Sequence, residues 1–133
     1  MPKKIICLTM LLFWLLGSLC FASDGNITDP HIWTRVGDTP WYYDGFFLSI
    51  NFKGELDGYF KLDGDNDDVY VSHSLISRNV RKSKVLKLEH YGPDGYEDLT
   101  YNVGGEDIAP GTDFEQCAQT AMAYAKERHL YRK

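Results

Sequence analysis

Cysteine is scarce: the chain has three among 133 residues, and two of them, Cys7 and Cys20, fall near its start. If that start is removed, Cys117 is left alone and no internal disulfide can form, so the fold must rest on its core. A disulfide-free exported domain suits the bacterial periplasm better than a eukaryotic extracellular setting. Basic charge is also in short supply, with 14 Lys and Arg against 19 Asp and Glu and a net charge of −5. A basic face is what nucleic acid and anionic lipid require, so the balance argues against both partners. The four histidines are dispersed, and no two have the spacing of a zinc motif. No Gly-rich phosphate loop, GxSxG elbow, HExxH helix or paired-carboxylate motif occurs, and no cofactor is implied.

What is present begins with a leader pattern. Lys3 and Lys4 form a basic start, Ile5 to Leu16 is almost wholly apolar, and Ala22 closes a run of smaller residues. This layout predicts a secretory signal peptide over residues 1–22, cut after Ala22 and leading to the periplasm or the exterior. Retention as an anchor is the rival, since Ile5–Ala22 reaches the lower length limit for a membrane span. Asn26-Ile27-Thr28 forms a glycosylation sequon, relevant only in a eukaryotic host.

Residues 23–133 then read as one small α+β domain. A short strand is expected near His31–Val36. The stretch from Phe46 to Leu75 predicts three antiparallel strands, because apolar residues recur at alternate positions. Phe46, Leu48, Ile50 and Phe52 share a face. Pairing Phe52 with Leu56 and Leu62 with Val69 would align Ile50 with Gly58, Phe60 with Val71, and His73 with Gly58 on the apolar side. Leu86 and Leu88 start a second hairpin, turned by Gly92-Pro93-Asp94-Gly95, which pairs Tyr91 with Tyr96, His90 with Glu97, and Leu88 with Leu99. Thr112-Asp113-Phe114-Glu115 is a capping box opening a helix over 113–130. Its apolar stripe is Phe114, Cys117, Ala118, Ala121, Met122 and Ala125. The expected fold is an antiparallel meander of about five to six strands with one C-terminal helix packed on one face.

Three chemistries compete on this frame. Cys117 lies near a helix N-terminus and, with His73 or His90, would make the Cys/His pair of a small hydrolase or transferase. Its place inside the apolar stripe favours a packed, unreactive thiol instead. Asp63, Asp65 and Asp67, with Asp68, resemble the first half of a calcium loop. However, Asp68 stands where glycine is needed and Ser74 where a bidentate glutamate is needed. Finally, aromatic residues are in surplus before and along the first strands. Trp33, Trp41, Tyr42, Tyr43, Phe47, Tyr59 and Tyr70 are candidates for an exposed binding patch. The leading expectation is a non-catalytic binding protein that occupies a protein or carbohydrate partner, as inhibitor, immunity-type protein or recognition module. An acidic surface would suit a basic partner.

Overall fold

A computed structural model describes residues 31–132. The leader expected over residues 1–22 and the sequon at Asn26 lie outside the described residues. The described chain is an antiparallel sheet with one C-terminal helix against it, as the sequence predicts. Its strands are β1 (Trp33–Arg35), β2 (Trp41–Asp44), β3 (Ser49–Ile50), β4 (Leu56–Asp63), β5 (Val69–Ile76), β6 (Lys82–Gly92), β7 (Gly95–Asp98) and β8 (Gly105–Asp107). Helix α1 (Asp113–Glu127) follows. The sheet order is β1-β2-β4-β5-β6-β7; β3 shares an edge of β4 with β2, and β8 shares an edge of β6 with β7. Among the described residues no helix is long and apolar enough to cross a membrane.

The first hairpin closes earlier than its apolar alternation predicts. Asn51 Oδ1 accepts from the Lys53 and Glu55 N–H groups at 3.0 and 2.9 Å, and the Asn51 N–H donates to the Glu55 carbonyl. An asparagine that caps its own turn in this way starts the loop two residues early. Ile50 therefore faces Leu56, and Phe52 rides the tip at 90% exposure instead of entering the core. Because the slip is by two, Leu48, Ile50 and Leu56 still share the buried side.

The next hairpin differs by one residue, which matters more. Asn66 and Asp67 both adopt left-handed backbone (φ 58° and 64°), and Asp63 rather than Leu62 pairs with Val69. A one-residue shift exchanges faces. Ser72 and Ser74 now stand beside Phe60 and Gly58 on the helix side, while Val71, His73 and Leu75 join Lys61, Tyr59 and Asp57 on the other. His73 thus faces Tyr59, not Gly58. The space at Gly58 belongs to Leu48, whose Cδ1 would lie 2.5 Å from a Cβ added there. Gly58→Ala is expected to cost about 1–3 kcal/mol by overpacking. Combining it with Leu48→Ala in a urea-denaturation double-mutant cycle should recover part of that loss.

The second hairpin follows its expected register, with His90 opposite Glu97 and Tyr91 opposite Tyr96. A bulge between His73 and Ser74 leaves Leu86 outside the β5–β6 pairing and exposed, so Leu86 does not share the environment of Leu88. The partner strand also stops at Asp98, and a 3-10 turn over Thr100–Asn102 precedes β8.

Helix α1 starts as the capping box requires. Thr112 Oγ1 accepts from the Glu115 N–H at 3.2 Å, and Glu115 Oε1 accepts from the Gly111 N–H at 2.9 Å, one residue before the expected donor. Cys117, Ala118, Ala121, Met122 and Ala125 are buried with Tyr43, Leu48, Ile50, Leu56 and Phe60. The helix ends before residue 130 because His129 turns left-handed (φ 56°). The Leu130 N–H then bonds back to the Ala125 carbonyl at 2.9 Å and the His129 N–H to that of Lys126 at 3.2 Å. Beyond this cap the chain runs beside β3: the Ile50 N–H meets the Leu130 carbonyl, and the Arg132 N–H meets that of Ile50.

Candidate functional site

The sheet face without the helix carries an aromatic row in place of the solvated surface usual for such a face. Strand alternation brings Trp33, Tyr42, Tyr59, Lys61 and His73 to this side from four different strands. The His31 ring lies 4.7 Å from Trp33 and 4.7 Å from Tyr59, and Tyr59 stacks on His73 at 4.5 Å with a 13° tilt. Lys61 Nζ lies 3.9 Å from the Tyr42 ring centre and 5.7 Å from that of Trp33. These cation–π contacts hold a charged head over rings at the rim. His73 Nε2 lies 2.6 Å from Asp57 Oδ1, a geometry that places its proton on that nitrogen, and Asp57 also accepts from Arg132.

Between β2 and β3 the chain bulges outward and displays two adjacent phenylalanines. Phe46 is 60% exposed and Phe47 44%; their rings meet at 4.8 Å, and Phe47 reaches His31 and Tyr59. What holds the bulge is Asp44, which is fully buried. Its carboxylate accepts from His31 Nδ1 at 2.7 Å, from the Ile32 N–H at 2.9 Å and from the Phe46 N–H at 2.8 Å. Burial alone would raise this carboxyl; the bonds from His31, Ile32 and Phe46 outweigh it and hold it below the ordinary carboxylate range.

The expected binding residues are therefore divided by the sheet. Trp33, Tyr42, Phe47 and Tyr59 gather on the helix-free face. Trp41 packs on Phe114, Tyr43 is buried against Tyr124, and Tyr70 stacks on His90, all on the helix side. Sequence reasoning missed His31 and Asp44, and set Phe46 on the apolar face of a strand. The readable signal was Asp44-Gly45 directly after an aromatic strand, since an aspartate that bonds the N–H two residues on marks a turn.

The acidic tip engages its own neighbours. Asp68 Oδ1 lies 2.9 Å from His90 Nε2, Asp63 lies 3.8 Å from Lys61, and the Gly64 N–H bonds the Asp68 carbonyl. Asp63, Asp65, Asp67 and Asp68 do not converge, and among the described residues no three His, Cys, Asp or Glu side chains are placed to hold a metal ion. His90 Nδ1 also lies 3.5 Å from Glu97, so both ring nitrogens face carboxylates. The Asp68 bond leads in raising the His90 pKa, with Glu97 adding to it against partial desolvation. The clamp is therefore fully present below about pH 6.5, the ordinary imidazole value, and is lost as pH rises through the higher folded one. The His90 ring protons followed by NMR should titrate above that ordinary value, and Asp68→Asn should bring the midpoint back down.

Cys117 is fully buried on the helix side, and burial pushes its thiol up to about 12. His73 and His90 are held by Asp57 and by Asp68 with Glu97, so neither is joined to the sulfur. Iodoacetamide should leave Cys117 unmodified in the native protein and alkylate it in urea. Comparison with family models, curated proteins and solved structures gives no match to this chain.

Proposed function

We propose that this is an exported, non-catalytic binding protein that occupies a protein partner through the aromatic bulge on the helix-free face. The observation carrying this reading is the Phe46–Phe47 pair held out in water by a buried carboxylate. Folding gains nothing from exposing two phenylalanines on a loop, whereas a protruding aromatic pair fits an apolar cleft as a central anchor. A protein is favoured over a carbohydrate because sugars stack on free ring faces. Here Tyr59 lies between two imidazoles, and Lys61 covers Tyr42. The net charge of −5 favours a partner whose cleft has a basic rim. Export is supported by the leader pattern of residues 1–22.

A photo-crosslinking phenylalanine at position 46 or 47, expressed in the native host, tests this. The expected result is one adduct of discrete mass, weakened by salt and absent when the probe sits at Leu86. Equal adducts from all three positions, or none, would overturn the proposal. With the partner in hand, Phe47→Ala should weaken binding by about 2 kcal/mol while leaving the fold intact.

A further inference from the structure

Helix α1 covers only part of its face of the sheet. Beyond its first turn a groove of about 690 Å³ opens over β5 and β6, bounded on the far side by residues 103–109. That volume lies within the range of small-molecule sites. Trp41, Tyr70, Phe114 and Val103 give it apolar and aromatic walls.

The floor is where the groove departs from an ordinary packing defect. The shifted register of β5 places Ser72 and Ser74 here, and Ser83 of β6, opposite Ile76, lines the same floor further along. Ser74 donates to Ser72 at 3.2 Å. Ser83 is 7% exposed and lines the groove, and its hydroxyl finds no protein partner among the described residues. Buried hydroxyls are ordinarily hydrogen-bonded, so an unpaired one directed into a cavity marks a place for a partner from outside the chain. Charge narrows the class. Glu106 and Asp107 line the groove, and only Asp107 is answered by a lysine, Lys82 at 2.9 Å, which leaves the rim acidic.

We infer that this groove binds a neutral or cationic, largely apolar small molecule whose one hydrogen-bonding group meets Ser83 and whose apolar body lies along the floor toward Ser72. It is separate from the aromatic bulge, on the opposite face of the sheet.

The test titrates the full chain with Nile red, a neutral apolar dye with one carbonyl, followed by emission shift and by the rise in Tm that native-state binding requires. Saturation at one dye per chain is expected. Ser83→Ala should weaken binding about tenfold by removing one hydrogen bond without adding bulk. Ser72→Phe, which fills the floor, should abolish it, and Phe46→Ala with Phe47→Ala should leave it unchanged. Anilinonaphthalene sulfonate, which is anionic, should bind at least about tenfold more weakly, as like charge at the rim dictates. Absence of saturation, indifference to Ser83→Ala, equal affinity for the anionic dye, or loss on removing the two phenylalanines would each overturn the inference. Should Ser72→Phe fail to fold, Ser83→Ala decides alone.

Discussion

Replacing Asp44 by alanine is expected to lower stability by about 3–4 kcal/mol, because three donors lose a buried, charged acceptor together. The Ile32 and Phe46 N–H groups belong to backbone that cannot swing out to water without dismantling the β1–β2 pairing or the bulge. Asp44→Asn keeps one acceptor oxygen and should cost about half as much. Acid should reproduce part of the loss. The folded pKa of Asp44 is depressed, so its contribution stands in full above the unfolded value near 3.8 and disappears as pH falls through the lower folded one. Urea denaturation of both variants at pH 7 and at pH 3 measures this, and the stability gap between wild type and Asp44→Ala should narrow at the lower pH. A loss below about 1 kcal/mol at pH 7 would mean that the bulge is held by something other than this carboxylate.

The same residue shows where the sequence can and cannot be read. Elements with one dominant local signal were legible: the Gly92–Gly95 turn fixed the register of its hairpin, and Thr112 with Glu115 fixed the start of the helix. Residues whose fate depends on a turn's internal bonding were not. The alternation of Phe46, Leu48, Ile50 and Phe52 suggested a continuous strand, yet only Ser49–Ile50 pairs, because Asp44 and Asn51 each bond a nearby N–H and bend the chain at both ends. The β5 register was open for another reason. Val69, Val71 and Leu75 are apolar on one face, while Tyr70 and Ile76 are apolar on the other, so alternation could not choose. The left-handed Asn66 and Asp67 chose, and they sent His73 to the aromatic face and the serines to the groove. The serine floor of the groove and the place of His73 beside Tyr59 thus follow from a one-residue decision made at the acidic tip.

Phe60→Ala is expected to be comparably damaging, at about 3–5 kcal/mol. The ring is completely buried, meets Phe114 edge-on at 5.7 Å and stands opposite Ser72 and Tyr43 in the sheet. What raises the cost is its surroundings. Apart from Met122, the helix faces the sheet with Cys117, Ala118, Ala121 and Ala125, side chains too small to reach into a void. Gly58, two residues along on the same face, already has its space taken by Leu48, so that side chain cannot shift across without leaving a hole of its own. The vacated volume should persist and merge with the neighbouring groove, which Phe60 helps to line. Phe60→Leu, by keeping most of the volume, should cost less than about 1.5 kcal/mol. Urea denaturation gives both figures. An alanine variant that lost under about 1.5 kcal/mol would show that the helix can settle onto the sheet, and the close small-residue contact would then not be what sets its position.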